Sequence, residues 1–127
     1  MEKKVLSTKE APAAIGPYSQ GIAVGDFVYT SGQLPINPST GELIVDDIKK
    51  ATMQCLENIK AILITAGSDI DYIVKTTVFL KDLNDFAKVN EVYSEYFTEK
   101  MPARSAVKVA RLPKDAPIEV EAIAVVK

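Results

Sequence analysis

Four short clusters in this sequence carry side chains that can take part in chemistry, and one of them surrounds Arg104. Arg104 follows Pro102 closely and has small residues on either side. A planar guanidinium with space around it suits bidentate capture of a carboxylate. The alternative is an ordinary surface salt bridge, and from the residues alone both roles stay open.

A second cluster places two carboxylates near the end of the chain. Glu119 and Glu121 alternate with apolar residues, so they share one face of a predicted strand that soon becomes wholly apolar. One of them can serve as a general base or orient a water molecule. Otherwise they are rim residues that pair with Lys108 or Arg104.

The other two clusters lie in the first third of the chain and contain glycine. Residues 16–21, with the letters GPYSQG, place Tyr18 in a turn, where it is either incidental or part of a site. Residues 30–35, with the letters TSGQLP, place Ser31 and Gly32 at the end of a strand. Gly32 either ends that strand or lets a ligand approach the backbone closely.

Three further features favour structural roles. Asn90 lies beside the apolar stripe of a predicted helix, where a solvated position is expected. The aromatic residues of that stripe are predicted to be core. Cys55 lies in the apolar stripe of another helix and is predicted to be a small buried hydrophobe.

The residue types that are missing exclude several classes of active site. The chain has no histidine and one cysteine, which removes the Ser-His-Asp triad, the Cys-His dyad, structural zinc sites and iron–sulfur clusters. It also lacks the phosphate-binding motifs G-x-x-x-x-G-K-[ST] and G-x-G-x-x-G. Chemistry must therefore rest on Arg, Tyr, Glu, Ser, Lys and backbone groups, and we expect neither a metal nor another cofactor.

The composition is typical of an ordinary globular domain. Hydrophobic residues make up 47% of the chain and charged residues 25%, and the formal net charge is −2. This near balance disfavours a polyanion-binding surface, so nucleic acid is not an expected partner. The sequence shows no secretory signal and no apolar run of membrane length, and with one cysteine the default prediction is a cytoplasmic location.

Hydrophobic patterning predicts the elements that must position these clusters. Strands are predicted near residues 5–6 and over 21–24, 27–31, 72–80, 104–110 and 118–126. One helix is predicted over about 47–65, because apolar residues recur there at helical spacing and Gly67 follows as a stop signal. A second helix should start at Asp82 or Asn84 and run to about Phe97.

The predicted order β-β-β-α-β-α-β-β indicates one α+β domain over residues 1–127, with two helices on one face of a mixed sheet. The last predicted strand is apolar on both sides, with Ala122 and Ala124 facing one way and Ile123 and Val125 the other. Nothing left in the chain covers the second face. Self-association is the simplest way to bury it.

Taken together, the clusters resemble the RidA (YjgF-type) family. The matching segments span nearly the whole chain in the family's order: IGPYSQG at 15–21, YTSGQ at 29–33, KDLNDF at 81–86, PARSAV at 102–107, ARLPKD at 110–115 and IEVEA at 118–122. Each segment is weak evidence alone, but the set is highly specific. The resemblance implies a chorismate-mutase-like subunit, three of which form a trimeric barrel with sites in the clefts between neighbours.

The resemblance also implies an activity, the hydrolysis of imines and enamines of short 2-amino acids, such as 2-iminopropanoate and 2-iminobutanoate, to 2-keto acids and ammonia. An iminium carbon is already electrophilic, so positioning a water and stabilising charge should suffice. Some family members are described as endoribonucleases or translation inhibitors, so RNA cleavage is one alternative. A non-catalytic small-molecule sensor with the same pocket is another.

Carried over residue by residue, the resemblance assigns two catalytic groups. Arg104 should clamp the substrate carboxylate, and Glu119 should hold or activate the attacking water. Tyr18 and Ser31 are implied to line the site, and Gly32 to give backbone contact with the substrate.

The resemblance implies two further substrate-binding positions. Asn90 corresponds to an asparagine near the site. Ala106 stands where many relatives have cysteine, two residues after the arginine. A thiol role is impossible here, but the backbone amide of Ala106 can still bind the substrate.

Overall fold

The first long helix, α1, forms where the apolar spacing predicted it. In the computed structural model, which describes all 127 residues, α1 runs Ile48–Thr65. The Asp47 side chain accepts hydrogen bonds from the amides of Lys49 and Lys50, both at 3.1 Å, and so satisfies two donors of the first turn. Gly67, with a φ of 77°, follows the last turn as predicted.

The second helical segment differs in detail from its prediction. Asp82 caps a short 3-10 helix, Leu83–Asp85, by accepting a hydrogen bond from the Asn84 amide at 2.9 Å. The α-helix proper, α2, follows directly and runs Phe86–Tyr96. The predicted boundary shifts because the capped turn is a 3-10 turn, which commonly precedes an α-helix. No helix of the protein combines the length and apolarity that a membrane span requires.

Six strands form one mixed sheet. They are β1 (Lys3–Leu6), β2 (Gly21–Val24), β3 (Phe27–Thr30), β4 (Ile73–Leu80), β5 (Ala103–Lys108) and β6 (Ile118–Val125). Their order across the sheet is β1-β2-β3-β6-β4-β5. Only β4 and β5 pair in parallel, and α2 forms the crossover between them. β5 therefore lies at a free edge of the sheet.

Both helices pack on the same face of this sheet. Val28, Val78, Val120 and Ala124 point toward the helices and are fully buried. Together with the inner faces of α1 and α2 they belong to one core cluster. The predicted order of elements and the predicted α+β architecture are confirmed.

The opposite face of the sheet is apolar and uncovered in the single chain. Val5, Ile22, Tyr29 and Ile123 follow one another in register across four strands on this face. Val5 is 59% exposed and Tyr29 is 42% exposed. Monomeric proteins rarely leave so large an apolar surface in water. The expectation of a second apolar face is confirmed.

Candidate active site

The site begins with Arg104, the second residue of edge strand β5. Arg104 pairs in register with Thr76 of β4, whose side chain is buried and hydrogen-bonded to Tyr93 of α2. Because residues in register point to the same side of a sheet, Arg104 also projects on the helix side. Its position at the edge leaves the residue exposed, so a ligand can reach the guanidinium.

Three residues of α2 hold the guanidinium in place. The Arg104 carbon Cζ lies 4.9 Å from the ring centre of Phe86 and 5.0 Å from that of Tyr93. The terminal nitrogen Nη1 donates a hydrogen bond to the side-chain oxygen of Asn90 at 2.8 Å. Phe86, Asn90 and Tyr93 are spaced i, i+4 and i+7, so one face of α2 presents all three.

Arg104 has no carboxylate partner, since none of the ion pairs in the chain contains it. The surface salt bridge that the sequence left open is therefore wrong. Asn90 is exposed, as a solvated position would be, but its side-chain oxygen is committed to Arg104. A guanidinium held only by neutral groups keeps its full charge available to an anionic ligand.

A cavity of about 480 Å³ opens beside the guanidinium. It is lined by Asn90, Tyr93, Ser94, Phe97, Met101, Pro102 and Arg104. The aromatic rings of Tyr93 and Phe97 lie in this lining beside the polar side chains of Asn90 and Arg104, and sites for small organic molecules combine apolar walls with a few polar groups. An anion at Arg104 would have apolar surface next to it.

The free edge of β5 presents a backbone donor near Arg104. The Val109 amide donates to the Leu80 carbonyl at 3.0 Å, continuing the parallel ladder between β4 and β5. Since amides alternate sides along a strand, the Val107 amide also faces β4, whereas the Ala106 amide faces outward. The Ala106 amide is thus a free donor, as its predicted role requires.

A second group of candidate residues lies on the other side of the sheet, around Glu119. Glu119 of β6 pairs in register with Phe79 of β4, and both point away from the helices. A Cβ atom on Gly32 would stand 2.8 Å from the carboxyl carbon of Glu119. Only glycine at position 32 lets this carboxyl group lie against the backbone. Within the chain, the close approach to Gly32 is made by Glu119.

The environment of Glu119 alters its acidity. Burial raises the pKa of its carboxyl group above the ordinary value, and the neighbouring Glu121 carboxylate raises it further. A raised pKa makes the ionised form a stronger base, which suits proton abstraction from water. Neither glutamate forms an ion pair with Lys108 or Arg104, so that alternative is wrong.

Ser31 and Tyr18 reach the region of Glu119 through a loop that Gln20 holds in place. The buried Gln20 side chain donates to three carbonyl groups of residues 8–12, at 2.8 to 3.2 Å. The Ser31 hydroxyl donates to the Ser19 carbonyl at 2.5 Å, and the Ser31 amide donates to the Gln20 carbonyl at 2.9 Å. Tyr18 is 53% exposed at the loop surface.

These side chains share a second cavity, of about 570 Å³. It is lined by Pro12, Ala13, Ile15, Tyr18, Gln20, Ser31, Gly32, Gln33, Leu34, Ile36, Pro113, Lys114 and Glu119. The Gly32 amide donates to no group of the chain. The lining of the cavity therefore includes a residue whose amide has no partner in the chain and a carboxyl group of raised pKa.

The predicted residues thus fall into two half-sites. The arginine half-site comprises Arg104, Asn90 and the outward amide of Ala106. The glutamate half-site comprises Glu119, Gly32, Ser31 and Tyr18. The two charged side chains project from opposite faces of the sheet and line separate cavities. One chain alone does not bring the half-sites together.

Sequence reasoning missed the residues that hold each half-site. Hydrophobic spacing predicts only a core role for the aromatic stripe of α2, yet Phe86 and Tyr93 also carry Arg104. The helical spacing of these two aromatic residues around Asn90 could have indicated that all three lie on one face of α2. Gln20 gave no signal, because its carbonyl partners are 8 to 12 residues away in the chain.

The chain matches a described family along nearly its whole length. A sequence model of the family described as Endoribonuclease L-PSP matches residues 8–126. An Escherichia coli protein named 2-iminobutanoate/2-iminopropanoate deaminase is 57% identical over 125 residues, covering 96% of this chain and 97% of that protein.

Two solved structures extend the match to three dimensions. The crystal structure of the YjgF gene product from Escherichia coli gives a TM-score of 0.93 at 56% identity, covering 98% of this chain and 99% of that one. Escherichia coli TdcF with bound serine gives a TM-score of 0.93 at 51% identity, again covering 98% and 99%. At this sequence identity and coverage, the similarity indicates a common family and not only a shared fold.

Proposed function

The chain belongs to the RidA (YjgF-type) family, and from that membership we propose that it hydrolyses imines of short 2-amino acids to 2-keto acids and ammonia. The proposed substrates are 2-iminopropanoate and 2-iminobutanoate, which the 57% identical Escherichia coli relative carries in its name. The unpaired guanidinium of Arg104 is the observation that carries the proposal, because each of these substrates bears a carboxylate.

Arg104 is equipped to receive that carboxylate. Two aromatic rings contact the guanidinium, and Asn90 accepts a hydrogen bond from Nη1, which leaves further N–H groups for a ligand. The outward amide of Ala106 adds a donor two residues along the same strand. A charge-assisted pair of this kind discriminates against imines that lack an acid group. The serine bound in the TdcF structure resembles these substrates, because its carboxylate is attached to the carbon that bears the nitrogen atom.

Glu119 prepares the water that attacks the iminium carbon. Its carboxylate takes a proton from the water as the new C–O bond forms, which gives a carbinolamine. Return of that proton to the nitrogen makes ammonia the leaving group. As the C–N bond breaks, the hydroxyl group of the carbinolamine gives its proton to the Glu119 carboxylate and the C=O bond forms, and the departing ammonia then takes this proton as ammonium. One water is consumed and one ammonia is released. The free Gly32 amide donates to the oxygen on which negative charge develops.

The site is completed by assembly of copies of the chain. The arginine half-site lies at the free edge of the sheet, whereas Glu119 projects from the uncovered face. A closed ring of copies that buries this apolar face brings the edge of one copy to the glutamate half-site of the next. A homotrimer with three shared sites fits this arrangement.

A coupled assay tests the proposal directly. A threonine dehydratase generates the imine, and loss of the enamine and imine absorbance is followed with and without this protein. We expect the wild type to accelerate the loss and Arg104→Ala to lower the acceleration about 100-fold or more, since charge-assisted hydrogen bonds are lost. Arg111→Ala, at an exposed arginine outside both cavities, is the matched control. No acceleration by the wild type, or equal acceleration by Arg104→Ala, would contradict the proposal.

The same variants separate the alternative functions. RNA cleavage is the activity that the family description names, and a ribonuclease assay on wild type and Arg104→Ala measures it. Cleavage that depends on Arg104, without imine hydrolysis, would replace the proposed function. Binding of 2-oxobutanoate without any turnover would indicate a sensor instead.

A further inference from the structure

Tyr93 connects the arginine half-site to the interior of the sheet. Its ring centre lies 5.0 Å from Arg104 Cζ. Its hydroxyl group donates a hydrogen bond to Thr76 Oγ1 at 3.0 Å, and Thr76 is fully buried. Thr76 is also the residue of β4 that pairs in register with Arg104. Backbone pairing, a buried hydrogen bond and a cation–π contact therefore link these three residues in a closed loop.

From this loop we propose that Tyr93 is a positioning residue, whose ring holds the Arg104 guanidinium in the orientation that receives the substrate carboxylate. The proposal rests on the proposed function, in which Arg104 binds that carboxylate. Tyr93 itself acts through Arg104 and need not touch the reacting atoms.

The positioning role depends on the conformational freedom that an exposed arginine side chain loses when it binds a ligand. A long side chain at a sheet edge samples many rotamers, and binding a ligand requires all but a few to be given up. A ring that already contacts the guanidinium removes part of this loss in advance. Phe86 contributes a second ring, but the ring of Tyr93 is the more deeply buried of the two, so packing holds it in place and its hydrogen bond to Thr76 adds to that hold.

Tyr93 is also suited to this role because its side chain is uncharged. Only 8% of the residue is exposed, and burial is the main cause of a raised pKa of its hydroxyl group. The hydroxyl group therefore stays neutral. A neutral ring supports the guanidinium without becoming a counter-ion that would compete with the substrate carboxylate.

Three variants test the proposal in the coupled imine assay. Tyr93→Leu removes the ring, Tyr93→Phe keeps the ring and loses the hydrogen bond, and Val89→Ala loosens the core side of α2 at a fully buried position away from Arg104. We expect Tyr93→Leu to raise KM about tenfold with little change in kcat. Tyr93→Phe should stay within about twofold of the wild-type KM, and Val89→Ala should leave KM unchanged.

A KM in Tyr93→Leu no higher than in Val89→Ala would overturn the positioning role, as would a KM in Tyr93→Phe as high as in Tyr93→Leu. If Tyr93→Leu does not fold, Tyr93→Met fills similar space without an aromatic face and is measured in its place. If the wild type hydrolyses no imine, the proposed function fails by itself. Calorimetric binding of 2-oxobutanoate then decides the positioning role, which requires about tenfold weaker binding in Tyr93→Leu.

Discussion

The two half-sites hold their charged groups by different means. Arg104 projects from an edge strand and is held by three side chains, namely two aromatic rings and the side-chain amide of Asn90. Glu119 projects from a central strand and lies against the backbone at Gly32. Water still reaches the guanidinium, whereas the carboxyl group is partly buried and its pKa is raised.

This difference indicates different tasks for the two groups. A cation in contact with water can exchange that water for a ligand carboxylate, so the arginine half-site should set affinity. A carboxyl group of raised pKa is a stronger base, so the glutamate half-site should set the rate of the chemical step. Substitutions around Arg104 should therefore raise KM, and those around Glu119 should lower kcat.

Among substitutions in the two half-sites, Glu119→Gln is expected to change the kinetics most. The amide keeps the size of the side chain but cannot take a proton from water. We expect kcat to fall about 100-fold to 10,000-fold with little change in KM, measured by steady-state kinetics of imine loss. Glu121→Gln, two residues away on the same face, is the matched control and should keep most of kcat. A raised KM with unchanged kcat in Glu119→Gln would reverse the assigned tasks.

Gly32→Ala tests whether the backbone fixes the carboxyl group. The added methyl group would lie 2.8 Å from Cδ and 2.9 Å from Oε2 of Glu119, so the carboxyl group must move. We expect kcat to fall about tenfold because the carboxyl group is displaced, and the free energy of unfolding to change little because only the end of a flexible side chain must move. Kinetics and urea denaturation measure the two effects. A wild-type kcat in this variant would show that the position of the carboxyl group is unimportant.

Asn90→Ala probes the arginine half-site with a smaller expected effect. The variant loses one hydrogen bond to Arg104, and KM should rise about threefold to tenfold while kcat stays unchanged. Asn90→Asp sharpens the test, because a carboxylate at this position would pair with Arg104 and compete with the substrate. KM should then rise further than in Asn90→Ala. A fall in kcat alone in either variant would contradict the division of tasks.

The smallest effect concerns stability and pH. Burial raises the pKa of Glu119 in the folded state, so the folded protein binds this proton more tightly than the unfolded chain does. The carboxyl group therefore lowers stability above its folded pKa, and this penalty fades as pH falls toward about 4.3, the ordinary glutamate value. Glu119→Gln should be slightly more stable than wild type at neutral pH and equal to it near pH 4, by urea denaturation. A stability difference that grows toward acid pH would contradict the raised pKa.

Local patterns were sufficient to predict most of the fold. The cap at Asp47, the stop at Gly67 and the apolar spacing between them define α1 without any distant contact. Alternation along β6 correctly predicted that both faces of the sheet are apolar. The start of α2 was not predictable to the residue, because Asp82 and Asn84 are both good caps and the tertiary structure selects a 3-10 turn between them.

The arrangement of the site was less accessible from the sequence. Residue types and family resemblance indicated Arg104 and Glu119, but not that they project from opposite faces. That depends on register, since Arg104 pairs with Thr76 and Glu119 pairs with Phe79, which point in opposite directions. A shift of one residue in a strand pairing reverses the face, and pairings between distant segments leave no local signal.

The most direct test of a site shared between copies mixes two defective variants. Arg104→Ala and Glu119→Gln are produced together in equal amounts, so that copies of both kinds assemble at random, and imine hydrolysis is measured. If Arg104 of one copy meets Glu119 of the next, about a quarter of the sites regain both groups and the mixture recovers about a quarter of the wild-type activity. A mixture no more active than the two variants measured separately would contradict the shared site.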